Sequence, residues 1–309
     1  MKTFKNILLV LSTGYIFVYF SEHLFWARVR PDDTLGGWLG TWVAYSLLAY
    51  LFLCVVSFFR VKNIWSLFLA GAMFGWLAEG VIVQTTYELL PLSISFTGLA
   101  WHALITVWIG WYALRKSLLA SASFSTLNLS AIIGVCYGLW GIAWWLEPDG
   151  GVSSIIEFAG FSFVTTILVI LAYKLADWSS NEPFIPNHWI TIFVSGLFGL
   201  YFLFVAVPTF PLALAILPIL LGLVHWGLRR NRSMNVDSSM INTLTGYIPV
   251  WKYFSLLALP VTGAIVYALA LSFHLQWRTN WVLYLITTPL GFILFGVSLY
   301  KSWRGKPAS

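Results

Sequence analysis

A chain of 309 residues that is 60% hydrophobic and 9% charged, with a mean hydropathy of +0.84, is not built like a soluble domain, where about 25% of residues are charged. Its formal net charge of +6 is scattered over short loops and forms no continuous basic face, which excludes a nucleic-acid binder. The composition calls for an all-α, polytopic transmembrane helix bundle.

Lys2 and Lys5 precede an apolar run that starts at Ile7, as in a signal peptide. The small-residue cleavage pattern is missing, however, and the apolar stretch continues to Trp26, so it reads as a retained first span. Taking about 20 apolar residues per crossing, the chain divides into ten predicted spans at 7–26, 38–59, 64–87, 93–114, 127–146, 152–173, 189–207, 212–228, 253–274 and 281–300, within one integral membrane domain over 1–309. The eighth is short and holds Pro218. Two polar stretches interrupt the pattern. DWSSNEPFIPN, with two prolines, cannot continue a helix. The longer stretch, 229–252, includes RRNRSMNVDSSMINT and reads as a solvated cytoplasmic linker with an anchoring basic cluster, or as a lipid-headgroup or partner contact. Cys54 and Cys136 both fall inside apolar runs, which argues against a disulfide or a metal framework.

Loop charge orients the bundle. With the N-terminus inside, Lys2, Lys5, Arg60, Lys62, Arg115, Lys116, Lys174, Arg229, Arg230, Arg232, Lys252, Lys301, Arg304 and Lys306 share one side, which is 14 of the 17 basic residues. Arg28, Arg30 and Arg278 remain on the other. The positive-inside rule then places both termini in the cytoplasm, and an odd number of spans would spoil the separation. No organelle-targeting signal is evident, so the expected location is the plasma (inner) membrane.

Against this apolar background a few ionisable residues fall inside spans, where they are costly and tend to face a bundle interior. Glu79 lies in FGWLAEGVIVQTTY and His102 in FTGLAWHALITVW, on two runs joined by ELLPLS. At ~1.5 Å per residue both sit roughly 12 to 14 Å below the outer surface. Glu157 enters the sixth span from the same side. Glu79 shares a stripe with Gly71, Gly75 and Thr86, and His102 lies between Gly98, Thr106 and Gly110 at intervals of four, so both faces are small and suited to close packing. Related glycine pairs, Gly134 with Gly138 and Gly196 with Gly199, hint at a repeated hairpin or at ordinary membrane packing. The expected site therefore has Glu79, His102 and Glu157 as acid/base groups, with Gln84, Thr86, Trp101 and Thr106 toward substrate. Trp76, Trp101, Trp108, Phe96 and Tyr87 are candidates to wall the cavity, whereas Trp26, Trp38, Trp42, Trp144, Trp145, Trp277 and Trp281 fit an interfacial belt.

Several functions suit this pattern. A carboxyl group in an apolar site with a histidine beside it can serve as general acid or base, which points to an intramembrane enzyme acting on a lipid or isoprenoid-like substrate. Alternatively, the same residues carry a coupling proton in a small-metabolite transporter, belong to an accessory subunit of a membrane complex, or simply pair to hold a hairpin together. Metal-binding spacings such as HExxH are absent, and the five histidines give no haem signature, so the sequence names no cofactor. The expected partners are the bilayer and a lipid-like or small-molecule ligand. Ten spans in a chain of this length with both ends inside is similar, in topology alone, to the drug/metabolite transporter superfamily. The Glu79 region also faintly resembles intramembrane glutamate proteases of the prenyl-protein-processing type. Those carry adjacent glutamates followed by an arginine, whereas Glu79 is followed by Gly80 and the next arginine is Arg115.

Overall fold

The computed structural model describes residues 2–147, 150–229 and 240–304. Among them there is no strand, and nine helices are long and apolar enough to cross a membrane: α1 Thr3–Trp26, α2 Leu35–Phe58, α3 Ile64–Ile82, α4 Leu92–Leu119, α5 Phe124–Leu146, α6 Ile155–Ser179, α7 His188–Thr209, α9 Val250–Ser272 and α10 Thr279–Arg304. A shorter apolar helix, α8 Ala213–Arg229, lies between α7 and α9. The chain is a multi-pass helical membrane protein. Large apolar side chains such as Phe193 and Phe204 on α7 are exposed along its length, the surface that a bilayer covers.

Helix α8 is the predicted eighth span. Its 17 residues reach only about 25 Å, short of a ~30 Å hydrocarbon core. It nevertheless runs the depth of the bundle. Before its start, Phe210 packs on Tyr87 after α3, and near its end His225 packs on Phe59 after α2. The ten predicted spans thus correspond to nine long helices and this shorter one.

Local sequence explains where several helices begin. Asn63 caps α3 by accepting from the Trp65 and Ser66 amides at 3.0 and 2.9 Å, and Asn187 caps α7 in the same way. Helix α3 stops earlier than the predicted residue 87, because Gln84 adopts a left-handed conformation at φ 74° that no helix continues.

Small residues set the closest contacts. Gly75 lies directly against the Gly98 carbonyl and the His102 Cβ, and Gly71 against Ala103, which brings α3 and α4 into backbone contact. Gly134 and Gly138 do the same for α5 against Thr262 and Gly263 of α9. By contrast, Gly196 and Gly199 have nothing within 4 Å of where a Cβ would stand. The third glycine pair is therefore not a packing seam within this chain.

At the opposite end of the bundle from Tyr87, a buried charge cluster ties α4, α6 and α9. Arg115, fully buried, donates to Asp177 at 2.7 Å and to the Ser180 hydroxyl at 2.6 Å, and the Tyr253 hydroxyl donates to the second Asp177 oxygen at 2.5 Å. Lys252, also buried, caps the end of α4 by donating to the carbonyls of Leu118 at 2.8 Å and of Ala120. Two of the cations counted as loop charges thus belong to the packed interior. Residues 230–239 of the expected linker lie outside the described residues. The described remainder corrects the expectation of solvated chain: Met240 and Ile241 are buried, and the Met240 amide donates to Val61 at 2.6 Å.

A side chain at position 75 must push α3 and α4 apart, whereas one at 196 meets open space. Gly75→Val is expected to destabilise the detergent-solubilised protein by about 1–3 kcal/mol and Gly196→Val to leave it near wild type, as read from thermal melts followed by size-exclusion chromatography.

Candidate functional site

Three of the helices that meet around Glu79 depart from α geometry there, and a fourth widened turn, Phe202–Ala206 in α7, packs against the one in α3 without bringing a polar side chain. Widened turns with i→i+5 hydrogen bonds occupy Tyr19–His23 in α1, Ala78–Ile82 at the end of α3 and Phe96–Leu114 in α4. The Leu24 amide bonds to the Tyr19 carbonyl and the Val83 amide to that of Ala78 at 3.0 Å, each five residues back. Such turns gather at functional sites, because the extra residue re-aims the side chains around it. Here they carry Ser21 and Glu22, Glu79, and Trp101, His102 and Thr106.

These side chains form one hydrogen-bonded chain. Glu79 Oε1 lies 2.7 Å from His102 Nε2, and the Thr85 hydroxyl donates to the other oxygen, Oε2. His102 Nδ1 lies 2.9 Å from Ser21 Oγ, which in turn lies 2.9 Å from Thr106 Oγ1. Thr106 reaches the Trp101 carbonyl, five residues back, at 3.3 Å. Glu79 is 8% exposed, His102 2% and Ser21 4%. Both imidazole nitrogens and both carboxylate oxygens are engaged, as a buried ionisable pair requires if its desolvation is to be offset.

The chain lies in the wall of a cavity of about 520 Å3, which Ser21, Glu79, His102 and Trp101 all line. A second carboxylate enters from the same wall. Glu22 accepts from the Tyr45 hydroxyl at 2.6 Å and from Trp26 Nε1 at 3.1 Å, and Tyr45 and Trp26 also line the cavity. Arg30 lines it from the loop after α1, its guanidinium 4.4 Å from the centre of the Trp26 ring and 2.8 Å from Asp33. Partial burial alone raises the Asp33 carboxyl, and hydrogen bonds from Arg30 more than offset this, so Asp33 stays below the usual carboxylate range. The ion pair is accordingly intact at neutral pH and is lost only as pH falls through that lowered value.

The residues expected from sequence divide cleanly. Glu79, His102 and Trp101 meet at the cavity, and Thr106 joins them through Ser21. Thr86 is buried, and Gln84 lies in the left-handed turn after α3; neither lines the cavity. Glu157 is not brought to the cluster. It is exposed at the start of α6, where its carboxylate accepts from the Ser154 amide at 2.7 Å while the Ser154 hydroxyl accepts from the Glu157 amide at 3.2 Å. That reciprocal pair is a capping box, and the S-x-x-E spacing at Ser154 and Glu157 already encodes it. Of the expected aromatic wall, Trp101 alone lines this cavity; Trp76 is sealed in the core, bonded to the Ile94 carbonyl at 2.9 Å.

Ser21, Glu22, Tyr45, Thr85 and Thr97 were not among the expected site residues. Nothing in the linear sequence pairs Ser21 with a histidine 81 positions away. Among the described residues, no group of three or more His, Cys, Asp or Glu side chains is placed to hold a metal ion. Comparison with known protein families, with curated proteins and with solved structures gave no match.

Glu79 and His102 should be energetically coupled. In a cycle of Glu79→Gln, His102→Gln and the double variant, thermal stability is expected to yield an interaction term of about 0.5–3 kcal/mol; simple additivity would mean that the 2.7 Å contact is not maintained in the membrane.

Proposed function

We propose that this protein is a membrane-embedded enzyme that carries out acid/base chemistry on a lipid or isoprenoid-like substrate, with Glu79 and His102 as the proton-handling pair. The observation that carries this reading is the placement of a hydrogen-bonded carboxylate and imidazole in the wall of a 520 Å3 cavity inside membrane-spanning helices. A purely structural pair needs no such opening. An imidazole held on Nε2 by a carboxylate can accept or return a proton through Nδ1, which here faces the Ser21 hydroxyl, and the carboxylate stabilises the imidazolium that forms. In a largely apolar surrounding these charges act more strongly than they would in water.

The cavity walls fit a substrate that arrives from the bilayer. Leu48, Ile82 and Val83 give it apolar surface, Trp101 and Phe25 give it flat aromatic surface, and its charged groups are Glu22, Arg30 and the Glu79–His102 pair. With the orientation implied by the basic loops, the cavity lies toward the outer leaflet of the plasma membrane. Arg30 is then placed near the level of lipid headgroups, where a guanidinium can hold an anionic group.

A second reading, transport of a small metabolite, draws support from the widened turns in α1, α3 and α4. Transporters place broken helices around their cargo sites. In that case Glu79 and His102 would carry a coupling proton, with no lipid product.

Comparing the membrane lipids of cells that lack the protein, rescued with wild type or with Glu79→Gln at matched expression, separates the two. The enzyme reading predicts a precursor lipid that accumulates without the protein, is cleared by wild type and persists with Glu79→Gln. Identical lipids in all three would overturn it in favour of transport.

A further inference from the structure

We propose that Ser21 is a covalent nucleophile and that the substrate is a carboxylic ester of a membrane lipid, so that the protein transfers acyl groups. This rests on the acid/base reading above and specifies its chemistry. The geometry is that of an activated serine: nucleophile, base and orienting acid are linked in sequence, with Ser21 Oγ 2.9 Å from His102 Nδ1 and His102 Nε2 2.7 Å from Glu79. With Glu79 as a carboxylate, it accepts the Nε2 proton and leaves the Nδ1 lone pair to accept the Ser21 hydroxyl. Thr106 Oγ1, 2.9 Å from Ser21 Oγ, holds the hydroxyl in position by turning its proton from the more distant Trp101 carbonyl to Ser21 Oγ when Ser21 donates to His102. All three members of the relay line the cavity, whereas Thr106 does not.

The charges nearby select the electrophile. Glu22 and Glu79 both face the cavity, Glu22 with only neutral donors on its oxygens. Arg30, the cation on the same cavity, is taken up by Asp33, so the two carboxylates beside the nucleophile disfavour an anionic phosphoryl centre there and tolerate a neutral carbonyl. Room for a long chain adjoins the site. Phe25, which lines this cavity, also lines a second one of about 700 Å3 walled by Phe96, Trp140, Trp144 and Trp281. An acyl or isoprenoid chain passing Phe25 enters a compartment with aromatic walls.

The chemistry balances without any further reagent than water. Ser21 Oγ attacks the ester carbonyl carbon, and its proton moves to His102 Nδ1. The tetrahedral intermediate collapses, the bond to the lipid alcohol breaks, and the departing alkoxide takes the proton from His102. The acyl-serine is then discharged by water, or by a second alcohol, deprotonated by the same nitrogen, which restores Ser21 and releases the acid or the new ester.

The test uses the purified full-length protein and an alkyl fluorophosphonate, which forms a P–O bond to an activated serine with loss of fluoride. Peptide mass mapping of the wild type is expected to place the adduct on Ser21, and Glu79→Gln is expected to slow labelling on the order of 10²-fold or more while retaining a cooperative melt. In the lipid rescue assay, Ser21→Ala is expected to fail as Glu79→Gln fails. The proposal is overturned if the wild type carries no adduct on Ser21, or if Ser21→Ala clears the precursor as wild type does. Either result with Glu79→Gln still inactive would remove the nucleophile alone and leave the acid/base reading standing. Rescue by Glu79→Gln would instead remove that reading.

Discussion

An ionisable side chain in a membrane helix has to be partnered, and the demand for partners at Glu79 organises the centre of this molecule. The carboxylate cannot be left alone in an apolar bundle without a penalty of several kcal/mol. It takes His102 on one oxygen and Thr85 on the other, and the imidazole passes the demand on to Ser21 and Thr106. The chain of partners that starts at one acidic residue thus ties α1, α3 and α4 together. The same network leaves Ser21, Glu79 and His102 in a cavity wall, which packing alone does not call for.

Two structural devices make the network possible. Close approach of α3 and α4 at Gly75 and Gly98 brings His102 within reach of Glu79. The widened turns supply the rest, because they turn Ser21 and Glu22 of α1 and the His102 segment of α4 into a common space. At the other end of the bundle, Arg115, Asp177 and Tyr253 repeat the principle with a different result. That cluster is locked into packed interior, with Lys252 beside it on carbonyl groups, and none of its members lines the cavity that holds Glu79. A buried polar network is therefore not by itself a site; access decides.

The fold was largely legible in the sequence because the bilayer imposes a length and a hydropathy on every crossing. Ten apolar runs map onto nine long helices and α8. The pairing of Glu79 with His102 was legible too, since a short connection sets two buried polar residues at equal depth. Glu157 misled, although its capping-box spacing is a local signal that favours a helix start over a shared cavity. Ser21 was illegible for a different reason. Stripes drawn at intervals of three and four assume α geometry, and the widened turn in α1 breaks that phase at Ser21. Tyr45 sits on the regular helix α2, and nothing local pairs it with Glu22. Arg115 and Lys252 looked like loop charges because nothing local reveals that Asp177 or a row of carbonyls awaits them.

The central claim is that His102 sits between Glu79 and Ser21 with each ring nitrogen in a fixed role. Nitrogen NMR of the full-length protein in lipid nanodiscs, with 15N-labelled histidine and the His102 signal assigned by its loss in His102→Gln, reports this directly. A neutral His102 locked as the Nε2–H tautomer, with a signal that changes in Glu79→Gln, is the expected result. Signals of two tautomers in rapid exchange, unaffected by Glu79→Gln, would contradict it.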